Sequence, residues 1–367
     1  MVNKALLQAF LAVASLGSVQ AHPGDLPEDV RRELAAHNAR QPIARRAIQA
    51  CAGTSNMAAL KARTVSRRAA TAQALREKRG LTDHRLKSKR DQDGFDKWAA
   101  VDHDSSSLGY DLDTGSDVIF SGNSTCALVP EVTIGPYWVE GELIRTDVTE
   151  GQAGVALHLD LQFLDINTCA AVTEGTLIDI WATNSTGVYS GVSATGQGGL
   201  NTTHNRGIQA TDSDGVVQFD TIVPGHYTGR TPHIHLLATY GATVLENSTY
   251  LAASGTPTHI GQIFFDQDLI TEVETTEPYT SNTQSLTTNA EDMINIQEAT
   301  VDYDPFLDYV RLGDSITDGL LGFITVFVDS SANVTSSRQA AAHYYAGGGV
   351  SESRGGGGGG PGGPPPS

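Results

Sequence analysis

The segment Val155–Phe163, VALHLDLQF, sets Val155, Leu157, Leu159, Leu161 and Phe163 in alternation with Ala156, His158, Asp160 and Gln162. A two-residue period places the apolar set on one face of an extended chain and predicts a half-buried β-strand. Further short apolar runs follow at Leu177–Trp181, Val216–Val223, Ile234–Tyr240, Ile260–Phe265 and Phe323–Val328, separated by Gly, Pro, Asn and Asp. Few long helical periods interrupt this series. The expectation is a mainly β body over residues 126–345, a sandwich or a barrel, in preference to an α/β fold.

The flanks read differently. Residues 22–100 are rich in Ala, Arg, Leu, Glu and Lys, and Pro27–Ala50 and Met57–Lys78 favour helix. The run Lys87-Ser88-Lys89-Arg90 is either a processing site, which would make 22–100 a pro-region, or a solvated linker. Residues 101–125 are polar and read as a linker or an extended wrap. Residues 346–367 contain 11 Gly and 4 Pro, which predicts a disordered tail.

Charge sharpens the division. The 367 residues carry 24 Lys+Arg against 42 Asp+Glu, a formal net charge of −18, and 39% are hydrophobic. That composition supports a real core and argues against a nucleic-acid or anionic-membrane partner, both of which need clustered cations. Residues 22–100 hold 17 Lys+Arg and 9 Asp+Glu, whereas 101–345 hold 5 Arg, no Lys and 32 Asp+Glu. Such a break usually marks a domain boundary.

Residues 1–21 read as a secretory signal peptide: Lys4 precedes a mostly apolar stretch, and Val19-Gln20-Ala21 fits a small-x-small cleavage site. No other run approaches the roughly 20 apolar residues of a membrane span. The expectation is therefore a secreted, extracellular protein. Glycosylation sequons begin at Asn123, Asn184, Asn201, Asn247 and Asn333. An oxidising compartment permits a disulfide. Cys126 and Cys169, both in the acidic part, are the preferred pair, with Cys51 unpaired or bridged elsewhere.

The chemistry centres on His233-Ile234-His235. On a strand, positions i and i+2 share a face, so two imidazoles there form a natural metal clip. The preceding loop, Pro224–Pro232, is dense in Gly and Pro and carries Tyr227 and Arg230. Tyr189 sits beyond the Leu177–Trp181 strand, followed by a turn. Two tyrosinates with two neutral imidazoles form a donor set suited to ferric iron, whereas a structural zinc site prefers thiolates.

These residues resemble the intradiol ring-cleavage dioxygenases, the catechol 1,2- and protocatechuate 3,4-dioxygenase family, and most nearly its secreted fungal branch. The resemblance rests on GPYWVEGELIR, DIWATNSTGVYSG, TIVPGHYTGRTPHIH and GQIFF, in family order, within residues 126–330. It implies a two-sheet β-sandwich preceded by a helical N-terminal segment. It implies Fe(3+) held by Tyr189, Tyr227, His233 and His235, with O2 and a small aromatic diol as substrates. It further implies Arg230 as catalytic cation, Gln262 as a substrate-orienting amide, Tyr227 as a ligand that leaves to hold a proton, and Tyr137 at the pocket mouth; Trp138 beside it reads either as a packing residue or as a second pocket residue touching substrate. His226 beside Tyr227 departs from the family pattern, and the short spacing from Tyr227 to His233 trims the loop that shapes the pocket. The alternative is a secreted metal- or polyphenol-binding protein on the same sandwich without turnover.

Overall fold

The computed structural model describes residues 46–81, 103–104, 134–251, 254–298 and 304–352. The signal peptide, Asn123, Cys126 and the Lys87–Arg90 run lie outside the described residues.

In chain order the strands are β1 (Val139–Glu140), β2 (Ala156–Asp165), β3 (Ala170–Ala171), β4 (Leu177–Trp181), β5 (Arg206–Ala210) and β6 (Val216–Ile222). They continue as β7 (His233–Tyr240), β8 (Thr256–Phe264), β9 (Asp308–Arg311), β10 (Leu320–Val328), β11 (Ala342–Tyr345) and β12 (Gly348–Ser351). The helices are α1 (Ser55–Arg79), α2 (Gln267–Val273) and α3 (Met293–Glu298).

Two sheets face each other, as expected of a mainly β sandwich. One runs β3-β2-β10-β9, with β6 also paired to β2; the other runs β5-β4-β7-β8. Their inner faces interlock through Leu157, Leu159, Leu161 and Phe219 of the first sheet against Ile180, Ile234, Leu236 and Ile263 of the second. Each of the six strands expected from the apolar runs is present.

The alternation in β2 misleads on one point. Its apolar face enters the core, but its polar face is buried too, with Asp160 and Gln162 shielded from solvent. The cover is α1. This helix starts at Thr54, whose hydroxyl accepts from Met57 N, and stops at Gly80, which adopts φ 69°. Leu60, Thr64, Val65, Arg68 and Ala72 recur at near four-residue spacing and form its buried face. Val65 and Ala72 pack on Leu321 and Phe323 of β10. The continuous apolar run of β10, paired in parallel with β2, follows from burial on both faces.

The charge break is therefore not a boundary between separate bodies. Arg67 and Arg68 both reach Asp160, at 2.8 and 3.1 Å, Thr64 donates to Gln162 at 2.9 Å, and Arg63 pairs with Asp214. The basic helix supplies cations that the acidic sandwich lacks. His103 and Asp104, in the segment read as a linker or an extended wrap, are packed: His103 Nε2 lies 3.0 Å from Asp304, and Arg311 donates to Asp104 at 2.7 Å.

Two further expectations are corrected. Cys169 is bridged to Cys51, not to Cys126. The helical residues just before α1 bring Cys51 over the turn that follows β2, so the bond joins the basic segment to the acidic one. The expected tail beginning at residue 346 is also wrong at its start, because β12 pairs antiparallel with β11, which pairs in parallel with β1. The glycines there serve a close approach: a Cβ on Gly349 would lie 2.2 Å from the Leu200 carbonyl oxygen. Residues 353–367 lie outside the described residues.

Non-reducing peptide mapping is expected to recover Cys51 joined to Cys169. The bond closes a loop across a separation of 118 residues, and Cys51→Ser should lower stability by about 3–5 kcal/mol in thermal melts. A second expectation concerns pH. Burial alone would raise the pKa of Asp160, but Arg67 and Arg68 outweigh it and hold the carboxyl down to about 2. A depressed carboxylate contributes stability above its unfolded value, near 3.8, and loses it as pH falls from there through about 2. Asp160→Asn should flatten that acid limb of the Tm-versus-pH curve. It should also cost about 3 kcal/mol near neutrality, because two guanidiniums lose their partner.

Candidate metal centre

The outer face of the β5-β4-β7-β8 sheet, turned away from the core, carries the chemistry. Registers place Arg206 opposite Trp181, Trp181 opposite His235, and His235 opposite Gln262, forming one row across four strands. Along β7 the alternation is strict in consequence. Ile234, Leu236 and Ala238 enter the sandwich core, while His233, His235 and Leu237 face the other way. Trp181 stacks on His235 with centroids 4.8 Å apart and planes within 3°, which fixes that imidazole's plane.

Two loops bring tyrosines over this row. Tyr189 is held through its backbone on both sides: its N–H donates to Gln197 Oε1 at 2.7 Å, its carbonyl accepts from Gly198 at 2.8 Å, and the next carbonyl, of Ser190, accepts from Arg206 Nη2 at 2.7 Å. Tyr227 follows His226, whose ring spans Glu274 at 2.7 Å and the Gln284 carbonyl at 3.0 Å. Gln284 in turn donates to the carbonyls of Thr186 and Gly187. The two tyrosine loops touch so closely that a Cβ on Gly187 would lie 2.0 Å from the His226 carbonyl oxygen.

The result is a convergence of four rings. Tyr189, Tyr227, His233 and His235 are 1%, 6%, 2% and 1% exposed. His233 Nε2 lies 3.1 Å from His235 Nε2, and Tyr189 Oη lies 3.3 and 3.2 Å from those two nitrogens. Tyr227 packs edge-on to both Tyr189 and His233, each 5.7 Å between centroids. Its buried hydroxyl faces that of Tyr189.

This donor set fits a metal ion. His233 Nδ1 sits 2.6 Å from the Thr231 carbonyl and must donate to it. In the neutral ring that leaves a lone pair on Nε2, aimed at the convergence. The Tyr189 hydroxyl and the two Nε2 atoms, 3.1–3.3 Å apart, can share hydrogens among themselves or turn their lone pairs together onto a bound cation. Among the described residues no group of three or more His, Cys, Asp or Glu is placed to hold a metal; here phenol oxygens complete the set.

Electrostatics point the same way. Burial pushes the Tyr189 phenol up to about 12, although Arg230 opposes it. Burial pushes Tyr227 well above its usual value, reinforced by Tyr189. Both phenols are neutral at pH 7 unless a bound cation draws the protons off. Burial disfavours the charge on Arg230, but Asp292 outweighs it and keeps the guanidinium firmly protonated. Arg230 Nε donates to Asp292 at 2.8 Å and Nη2 to Gln262 Oε1 at 2.5 Å.

The structure thus brings together Tyr189, Tyr227, His233, His235, Arg230 and Gln262. Tyr137 is beside them, its ring 5.1 Å from that of Tyr189. Trp138 belongs to the same apolar cluster, but its N–H donates to Asp179 at 2.8 Å and its ring lies under Arg338. Sequence reasoning missed Arg206, Thr231, Asn289 and Asp292. The pairing of strands would have revealed Arg206, but Asp292 comes from α3's approach and has no local signal.

Residues 135–305 match the dioxygenase family model. No curated protein matches the chain. An intradiol ring-cleavage dioxygenase from Tetranychus urticae is 29% identical over 57% of this chain and 98% of that one, with a TM-score of 0.46. The dioxygenase domain of a dioxygenase–carbohydrate-binding fusion from Streptomyces sp. SirexAA-E is 24% identical over 55% and 97%, with a TM-score of 0.36. A catechol 1,2-dioxygenase from Acinetobacter sp. ADP1 is 16% identical over 57% and 65%, with a TM-score of 0.37. The resemblance to intradiol dioxygenases read from the sequence motifs is upheld over the matched segment.

Proposed function

We propose that the protein is a secreted non-haem iron(III) intradiol dioxygenase, of the fungal kind, that opens catechol-type rings with O2 to muconate-type diacids. The observation that carries this reading is the convergence of two phenols and two imidazoles with a buried Arg230–Gln262 pair beside them, inside the family-matched segment. Tyr189, Tyr227, His233 and His235 would hold the iron. When bound, ferric iron supplies a Lewis acid for both diol oxygens and a path for electrons between ring and O2.

The chain's own residues divide the remaining work. Tyr189, pinned through its backbone on both sides, is the phenol built to stay. Tyr227, carried on the Pro224–Pro232 loop with its hydroxyl facing that of Tyr189, is the phenol able to take up a diol proton at Oη and swing aside. Arg230 places a permanent positive charge where the ring gains negative charge. Gln262, its carbonyl oxygen oriented by Arg230, would hold the substrate by hydrogen bonding. Tyr137 packs at a tilt against Tyr189 and would bound the substrate's side of the site. The ring bond between the two hydroxyl-bearing carbons breaks, and both oxygen atoms of O2 end in the diacid.

Export is supported by residues 1–21, by the disulfide between Cys51 and Cys169, and by exposed sequons at Asn201, Asn247 and Asn333. Asn184 differs. It is half-buried, and its Oδ1 accepts from Thr186 and Val188 in the loop that carries Tyr189. Glycopeptide mapping of protein secreted by a fungal host should find glycans at Asn201, Asn247 and Asn333 but not at Asn184.

The activity is tested by oxygen consumption with catechol, with product identification and an iron assay on the same sample. One O2 per ring-opened diacid, in a protein coloured red-brown by phenolate-to-iron charge transfer, is the expected outcome. Iron without oxygen uptake would leave the binding-protein reading. An iron-loaded but colourless sample would exclude the tyrosine ligands. Tyr227→Phe should retain most of the iron yet lose activity about 100-fold, the loss typical of one removed proton acceptor.

A further inference from the structure

Asp292 lies outside every motif that marks the site, yet it is fully buried and touches two parts of it. Its Oδ2 accepts from Arg230 Nε at 2.8 Å and from the Thr231 N–H at 3.0 Å. Its Oδ1 accepts from the N–H groups of Ile294 and Asn295 at 2.9 and 3.2 Å, which anchors the carboxylate to the start of α3. Thr231 is held again through its hydroxyl, which donates to Asn289 Oδ1 at 2.7 Å, and Asn289 donates to the Phe265 carbonyl at 2.8 Å. The carbonyl of Thr231 then accepts from His233 Nδ1. One oxygen of Asp292 thereby grips the side chain of Arg230 and the backbone that orients His233.

We propose that Asp292 is a positioning residue for the ring-cleavage reaction, a carboxylate that fixes Arg230 relative to the His233 ligand so that cation and metal centre are held as one unit. The inference rests on the dioxygenase reading for its catalytic consequence, but its physical core, the coupling of Asp292 to Arg230, does not. A guanidinium reaches the site on a long flexible stem, and its effect on developing charge depends on a placement error well under an ångström. With Nε tied to Asp292 and Nη2 tied to Gln262, two edges of the fork are set, and its plane is set with them. Asn289 supports the same backbone from the far side, so Asp292 is not the sole anchor of Thr231. An asparagine at 292 still offers one oxygen to Thr231 and Arg230 but no charge, and its amide nitrogen then faces the Ile294 and Asn295 N–H groups at the start of α3.

The test is Asp292→Asn, read on iron content, the charge-transfer band, KM and kcat, together with a Tm cycle over R230A, D292N and R230A/D292N. In D292N the iron content and the band should stay near wild type, because the Thr231–His233 arm survives. KM for catechol should change by less than about threefold while kcat falls about 10- to 100-fold, the signature of a mispositioned transition-state cation. In the R230A background the same change should leave kcat unaltered within about twofold, since nothing remains to be positioned. Loss of iron in step with kcat, or wild-type kcat in D292N, would overturn the proposal. The Tm cycle needs neither iron nor turnover. Each single variant strands a buried charge, so the double variant should melt higher than the two separate shifts would sum to. Additive shifts would refute the coupling. Absence of oxygen uptake by the wild type would instead refute the dioxygenase reading and leave the cycle to decide the coupling alone.

Discussion

Strand β7 has to satisfy two environments at once, and the rest of the molecule is arranged around that constraint. Ile234, Leu236 and Ala238 bury themselves between the sheets, each of the two larger side chains contributing about 1.5–3 kcal/mol by leaving water. The residues between them point outward and bring two imidazole nitrogens to 3.1 Å. A strand locked by its inner face cannot rotate its outer one. The rigidity of the hydrophobic core is thereby passed on to the metal centre, and neighbouring strands complete it in register: Trp181 on one side as a stacking plate, Gln262 on the other as an amide.

The second organising fact is that carboxylates outnumber cations so heavily between residues 101 and 345 that each cation there has a fixed post. Arg145 reaches Glu150, Arg206 the Ser190 carbonyl and Glu142, Arg230 Asp292, Arg311 Asp104 and Glu272, and Arg338 Glu140. None of the five is left for Asp160 in the middle of β2. A carboxylate buried that deeply is tolerable only with partners, and these come from α1, outside the acidic stretch. The compositional asymmetry is thus the trace of an intramolecular contact, with a disulfide across the same seam.

How much of this was legible follows from the range over which each feature is encoded. The strands were readable because alternation is local, and the ligand set because His233 and His235 share a face at spacing two and Tyr227 lies in the adjoining loop. The half-burial expected of β2 failed because a helix some 90 residues upstream covers the polar face, and nothing within VALHLDLQF announces a lid. The cysteine pairing failed for the same reason: charge composition separated Cys51 from Cys169, whereas charge complementarity brought them together. Glycines at 347–349 were read as disorder, although at Gly349 the missing side chain admits a neighbouring backbone. Asp292 had no sequence signal at all, since its role arises from where α3 comes to rest.

The charges around the centre also bear on which state of the ligands the fold favours. Arg230 is already matched by Asp292, and Arg206, 6.0 Å from the Tyr189 ring centre, faces Glu142 at 3.7 Å. Neither cation is left with its full field for a phenolate, and burial has raised both phenols, Tyr189 to about 12 and Tyr227 beyond its usual range. Two phenolates in that chamber would add two negative charges with no counterpart inside the protein. On the dioxygenase reading, only the metal can balance them, so ligand ionisation and metal capture become one event, each unfavourable without the other. That linkage gives a physical reason for phenols in place of carboxylates here. A carboxylate would remain charged after the metal or substrate shifted, and a buried unpaired charge is costly. A phenol in this setting takes its proton back at once, which is what a ligand that must leave and return requires.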